Sequence, residues 1–162
     1  MAHRAFNVLF VCERNCARGV MAEALLNRFG DDRFRAFSAS IEPDALVHPL
    51  TIEMLKGSGL PASNLNQKSF SEFMMPAAPR MDFVIIIGKE IGTLPKTFPG
   101  HPFIARWGIT DPVETNADVV NQKLAFRRAF RELENRIRLF VLVRHQPESE
   151  PGVERLPQIQ TA

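Results

Sequence analysis

A cysteine and an arginine six positions apart, Cys12 and Arg18, are the residues whose types and spacing best fit a reaction. They lie in the run Val8-Leu-Phe-Val-Cys12-Glu13-Arg14-Asn15-Cys16-Ala17-Arg18-Gly19, where an apolar segment gives way to a helical pattern. A thiol at the carboxyl end of a strand, just ahead of a helix N-terminus, sits where backbone N–H groups converge on an anion. The field that holds the anion also stabilises a thiolate, so one loop can both bind an oxyanion and attack it. Phosphate, arsenate or a similar tetrahedral anion fits such a loop.

The surrounding pattern supplies elements to position it. Phe6 to Val11 reads as a short strand, apolar on both faces as buried parallel strands are. After the loop, a helix is predicted from Gly19 to Phe29, with Met21, Leu25 and Phe29 four apart and Gly30 as its C-terminal cap. Phe34 to Ser40 reads as a strand, and Pro49 to Lys56 as a helix ended by Gly57-Ser58-Gly59. Asp82 to Gly88 is the clearest central strand, and His101 to Trp107 a candidate fourth. From Asn116 to Val143 an apolar stripe of Phe126, Phe130, Leu133, Ile137 and Phe140 marks a long helix, with its basic side chains forming a solvated face. Alternating strands and helices imply an open, mostly parallel α/β sheet, which binds ligands beyond the carboxyl ends of its strands. That is where the Cys12 loop emerges.

Composition sets the bounds. The 162 residues suit one domain, expected over 1–144, followed by a Pro-, Glu- and Gln-rich segment, 145–162, expected to be a disordered tail. A net charge of +2 suits an anionic ligand but is too small to argue for nucleic acid. No signal peptide or membrane-spanning run is visible, so a cytoplasmic protein is expected. Two cysteines four residues apart make no disulfide framework, and the scattered His3, His48, His101 and His145 argue against a structural zinc site.

Cys12-x5-Arg18 after an apolar strand, followed by Met21-Ala22-Glu23-Ala24, resembles the low-molecular-weight protein tyrosine phosphatase family, whose superfamily includes arsenate reductases. Ser38-Ala39-Ser40, Val47-His48-Pro49, Phe98-Pro99-Gly100 and Trp107-Gly108-Ile109-Thr110-Asp111-Pro112 resemble the arsenate reductase branch, as does the Phe126-Arg127…Arg136-Ile137…Phe140 helix. The resemblance spans residues 6–143. It implies a three-layer α/β/α fold on a four-stranded parallel sheet of order 2-1-3-4, with the active-site loop after strand 1. It also implies Cys12 as nucleophile, Arg18 as a planar fork on two anion oxygens, and Asp111 as general acid. The loop residues Glu13, Arg14, Asn15, Cys16, Ala17 and Gly19 would complete the cradle through their backbone, with Asn15 bridging the loop to itself. Asp111 also has a plainer reading, as the turn residue before Pro112.

The chain departs from the family pattern at four points. Gly19 stands where a serine hydroxyl usually supports the thiolate, a loss of about 1–3 kcal/mol. Arg14 replaces a glycine, and would be strained by about 1–2 kcal/mol if the position needs positive φ. Glu13 adds a negative charge that opposes thiolate formation unless it points outward. Finally, the segment from Gly88 to Pro99 contains no cysteine, which excludes the intramolecular thiol relay of thioredoxin-coupled arsenate reductases. Cys16 is then either a disulfide partner for Cys12 or a packed bystander.

The resemblance therefore implies an arsenate reductase-like enzyme in which an external thiol completes turnover. Glutathione, mycothiol or a glutaredoxin-like redox partner would fill that role, with no bound cofactor and no metal. A phosphatase working through a phosphocysteine is the alternative. The absence of tyrosine, and Val113-Glu114 after Asp111-Pro112, leave little wall for an aryl phosphate; Trp107 is either part of that wall or core. A non-catalytic oxyanion-binding protein is the third reading, motivated by the altered rim at Glu13, Arg14 and Gly19.

Overall fold

The computed structural model describes residues 4–14, 17–42, 46–63, 65, 68–88, 94, 97–113 and 117–144. Its strands are β1 (Phe6–Cys12), β2 (Phe34–Ser40), β3 (Phe83–Ile87) and β4 (Phe103–Trp107). They form one parallel sheet in the order β2-β1-β3-β4. The helices are α1 (Arg18–Phe29), α2 (Pro49–Gly57) and α3 (Val119–Val143), with short 3-10 turns at Asp31–Arg33 and Phe70–Met74.

The apolar runs Val8 to Cys12 of β1 and Phe83 to Ile87 of β3 follow from burial on both faces. Val8, Phe10 and Cys12 face a core shared with Met21 and Leu25 of α1, Leu55 of α2, and Phe126, Leu133 and Ile137 of α3. Leu9 and Val11 face the opposite way and pack with Phe73, Met81 and Phe98. Among the described residues, that second face is covered by the 70–74 turn and by connecting segments. Edge strand β4 is the exception to burial, leaving Phe103 and Ile104 exposed. Trp107 at its end is half-buried and packs on Phe10 and Phe140, so it belongs to the core.

Element ends differ from the sequence reading for local reasons. Pairing with Ser40 extends β1 to Cys12. The fourth strand starts at Phe103, because His101 has φ 51 and Pro102 has no N–H to give to a ladder. Asp118 caps α3 by accepting from the Asn121 amide at 2.9 Å, so that helix begins at Val119. Gly30 does cap α1, donating to the Leu26 carbonyl at 2.8 Å, but its φ is −78. Glycine is needed there for space: a Cβ would lie 2.6 Å from the Leu26 oxygen and 2.8 Å from the Phe34 Cβ.

The basic side chains of α3 are solvent-facing, as expected. Lys123 pairs with Glu53 of α2, Arg136 with Glu132, and Arg138 with Glu134. No helix among the described residues is long and apolar enough to cross a membrane. The expected tail, 145–162, lies outside the described residues.

Candidate active site

β1 is a central strand whose neighbours continue the chain in opposite directions across the sheet, β2 on one side and β3 on the other. The crevice at its carboxyl end is the switch point at which open α/β sheets bind ligands. Cys12 is its last residue and is fully buried. Ala17 then starts α1 with no side-chain cap, and the first turn carries no acidic residue. The N–H groups of this helix end carry partial positive charge and receive no hydrogen bond from a capping side chain among the described residues.

Arg18, the first residue of that helix, is only 6% exposed. A buried cation at the positive end of a helix dipole is doubly unfavourable and calls for strong partners. It has two. Nη1 donates to the Ile109 carbonyl at 2.8 Å, and Nη2 donates to Asp111 Oδ2 at 3.0 Å. Among the described residues the buried Nε has no partner. A guanidinium carries five N–H donors, so donors remain for a further acceptor. Gly88, just after β3, allows this placement: its φ is +122, and a Cβ would stand 3.2 Å from Arg18 Nη1.

Asp111 is the turn residue of its plainer reading, and it also reaches Arg18. Oδ1 accepts the Val113 amide at 3.0 Å, closing a turn around Pro112, while Oδ2 holds Arg18. Cys12 and the Arg18–Asp111 pair are thus delivered by three elements to the carboxyl end of the sheet.

Two of the altered positions resolve plainly. Glu13 is exposed, which answers the objection that its charge would oppose the thiolate. Arg14 is not strained: among described non-glycine residues only Asp31 and His101 have positive φ. Its Nε instead donates to Glu42 Oε2 at 3.1 Å, a link between exposed side chains across the rim. Gly19 is buried in the first turn of α1. Asn15 and Cys16 lie outside the described residues, so the proposed loop bridge and the Cys12–Cys16 alternatives fall there too.

His48 and Ser40 gained no role from sequence reasoning. His48 caps α2, its Nδ1 accepting from the Leu50 amide at 3.1 Å, which leaves the ring proton on Nε2. Its ring lies 4.9 Å from that of Phe126. Burial lowers its pKa, while the charge of Asp111 pulls the other way. A histidine directly before a proline at a helix start is a readable cap signal. Ser40, the register partner of Cys12, carries no comparable signal. Nearby on the same face, Ser38 donates to Glu23, whose pKa is raised by burial against the pull of Ser38 and Lys68. No group of three or more His, Cys, Asp or Glu among the described residues could hold a metal ion.

Fold and loop together define a class: parallel α/β proteins with a Cys-x5-Arg loop at the carboxyl end of the first strand. Within that class, the chain belongs to the low molecular weight phosphotyrosine protein phosphatase family, whose model matches residues 7–148. It is 27% identical to the arsenate reductase of Bacillus subtilis over 134 residues, 82% of this chain and 93% of that protein. It is 29% identical to the glutaredoxin arsenate reductase of Synechocystis sp. over 105 residues, 65% of this chain and 77% of that one. The crystal structure of an arsenate reductase from Archaeoglobus fulgidus superposes with a TM-score of 0.66 at 29% identity, covering 83% of this chain and 98% of that one.

Proposed function

We propose that this chain is a cysteine-dependent oxyanion enzyme of the arsenate reductase type, with Cys12 as nucleophile and an external thiol completing turnover. The observation that carries this is Arg18: a buried guanidinium with an unpartnered Nε, at an uncapped helix N-terminus, one loop away from Cys12. An oxyanion supplies the acceptor that these donors lack. The names of the Bacillus, Synechocystis and Archaeoglobus relatives favour arsenate as that anion.

In this reading the Cys12 thiolate attacks arsenic, forming an S–As bond while an oxygen leaves as water. Asp111, at the same end of the sheet, gives the leaving oxygen its proton. The N–H groups of the loop through Gly19, with Arg18, hold the charge that develops on the remaining oxygens. An external thiolate then attacks the Cys12 sulfur. The S–As electron pair passes to arsenic, arsenite departs, and a mixed disulfide remains for a second thiol to reduce. Both electrons come from thiols. With no further cysteine after β3, glutathione, mycothiol or a glutaredoxin-like protein supplies them. This chemistry suits the reducing cytoplasm. Residues 1–144 form the catalytic domain, with 145–162 outside it.

NADPH-coupled arsenate reduction, assayed with glutathione, mycothiol, glutaredoxin and thioredoxin systems, tests the proposal. Turnover with at least one system, abolished in Cys12→Ser, is expected; no turnover with any of them overturns it. The family match favours a second reading, hydrolysis of a phosphate ester through a phosphocysteine. Nitrophenol release from an aryl phosphate, lost in the same variant and without arsenate turnover, selects that reading.

A further inference from the structure

Ser40 ends β2 directly beside Cys12, its register partner at the end of β1. Partnered residues of parallel strands project from the same face of a sheet, and adjacent strands lie about 4.8 Å apart. Both residues are fully buried, and among the described residues Ser40 Oγ has no hydrogen-bond partner. Buried hydroxyls almost always find one, and an unsatisfied one is worse for stability than a methyl group of the same size.

The backbone on both sides is held in place. The Ile41 amide donates to the Cys12 carbonyl at 3.2 Å, the Ser40 amide donates to the Lys68 carbonyl at 2.9 Å, and Ser40 bridges to Ser69. Ser40 therefore has little freedom beyond rotation about χ1, which turns its hydroxyl toward or away from the neighbouring strand. Gly19, at the start of α1, has no side chain with which to donate.

We propose that Ser40 is a positioning residue for the Cys12 thiolate. Once Cys12 loses its proton, the Ser40 hydroxyl turns to donate to Sγ from the adjacent strand. The missing acceptor is thus the charged sulfur, which exists only in the reactive state. This rests on the reading of Cys12 as nucleophile, but it is measured on the thiol itself and requires no turnover.

The test is the Cys12 pKa, from thiolate absorbance and alkylation rate against pH, in a Cys16→Ala background so that one thiol titrates. Ser40→Ala is expected to raise that pKa by about one to two units, with a matching tenfold or greater loss of alkylation rate below it. Ser40→Thr, which keeps the hydroxyl on a strand-compatible side chain, restores it. The surrounding charges of Glu13, Arg14, Arg18, Glu23, Glu42 and Asp111, with His48, are the same in all three proteins. Thermal unfolding at acid pH, where Cys12 is a thiol, separates this role from a structural one: Ser40→Ala then unfolds no earlier than the parent. A Cys12 pKa unchanged in Ser40→Ala overturns the proposal, as does a threonine variant that behaves like alanine. A low pKa that rises in Ser40→Ala, found in a protein that reduces no arsenate, leaves the Ser40 role standing and sinks the functional reading alone.

Discussion

Arg18 concentrates the energetics of the site in one side chain. It is a buried cation at a helix N-terminus, held by one carbonyl and one carboxylate, with Nε left open. Asp111 neutralises it in the resting state and competes with any arriving anion for it. In the proposed mechanism that carboxylate is also the general acid, and the two roles separate in Asp111→Asn. Removing the charge is expected to tighten phosphate or arsenate binding, while losing the acid slows turnover by about 10²–10⁴-fold. Calorimetry of anion binding beside steady-state rates checks this. A parallel fall in both quantities assigns Asp111 to the scaffold only. The same scale shows where residue types were readable: a cysteine, an arginine and an Asp-Pro are conspicuous in a sequence. Ser40 is not, since its interest lies in being the register partner of Cys12.

At the level of elements, the ends of strands and helices build the site, and glycine does its work where two of them meet. Gly88 closes β3 with φ +122 and leaves room for Arg18. Gly88→Ala therefore meets two penalties, a backbone region nearly confined to glycine, costing about 1–3 kcal/mol, and a Cβ 3.2 Å from Nη1. A lowered Tm together with weakened anion binding is expected, and a variant that loses only stability rules out the Arg18 clash. The strands of this sheet were legible because burial on both faces writes itself as an apolar run. The α3 stripe was legible because amphipathic periodicity is local. Strand and helix starts were less so: His101, Pro102 and Asp118 decide them through φ and hydrogen bonding.

Across the whole molecule, the end opposite the site carries a tie of its own. Asp82 accepts the Asn7 amide at 2.8 Å and both terminal nitrogens of Arg4, while its own backbone joins Asn7 and Phe103, linking β1, β3 and β4. Burial pushes the Asp82 pKa up, but the Arg4 hydrogen bonds, the Asn7 amide and the Arg4 charge outweigh it and hold it below the ordinary value of 3.8. A carboxyl depressed in the folded state stabilises the protein above its unfolded pKa, and that contribution is lost as pH falls through the folded value. Asp82→Ala is expected to cost about 1–3 kcal/mol at pH 7, chiefly for the Asn7 amide left without its acceptor. The difference narrows below about pH 3.8, and activity per folded molecule stays unchanged because the site lies at the other end of the sheet. Urea unfolding at neutral and acid pH, with rates normalised to folded protein, measures both. A deficit that does not vary with pH assigns the whole loss to the Asn7 hydrogen bond and none to the Arg4 ion pair.

The amino-acid sequence by itself determined the Cys12 loop, the alternation of strands and helices, and the absence of a cysteine relay, since each is written in residue types at short spacing. Only the tertiary structure decided that Arg18 is buried against Ile109 and Asp111, that Glu13 faces outward, that Arg14 is unstrained, and that Ser40 lies beside Cys12. Those facts join residues as far as 93 positions apart in the chain. They depend on sheet register and loop geometry, which no local pattern encodes.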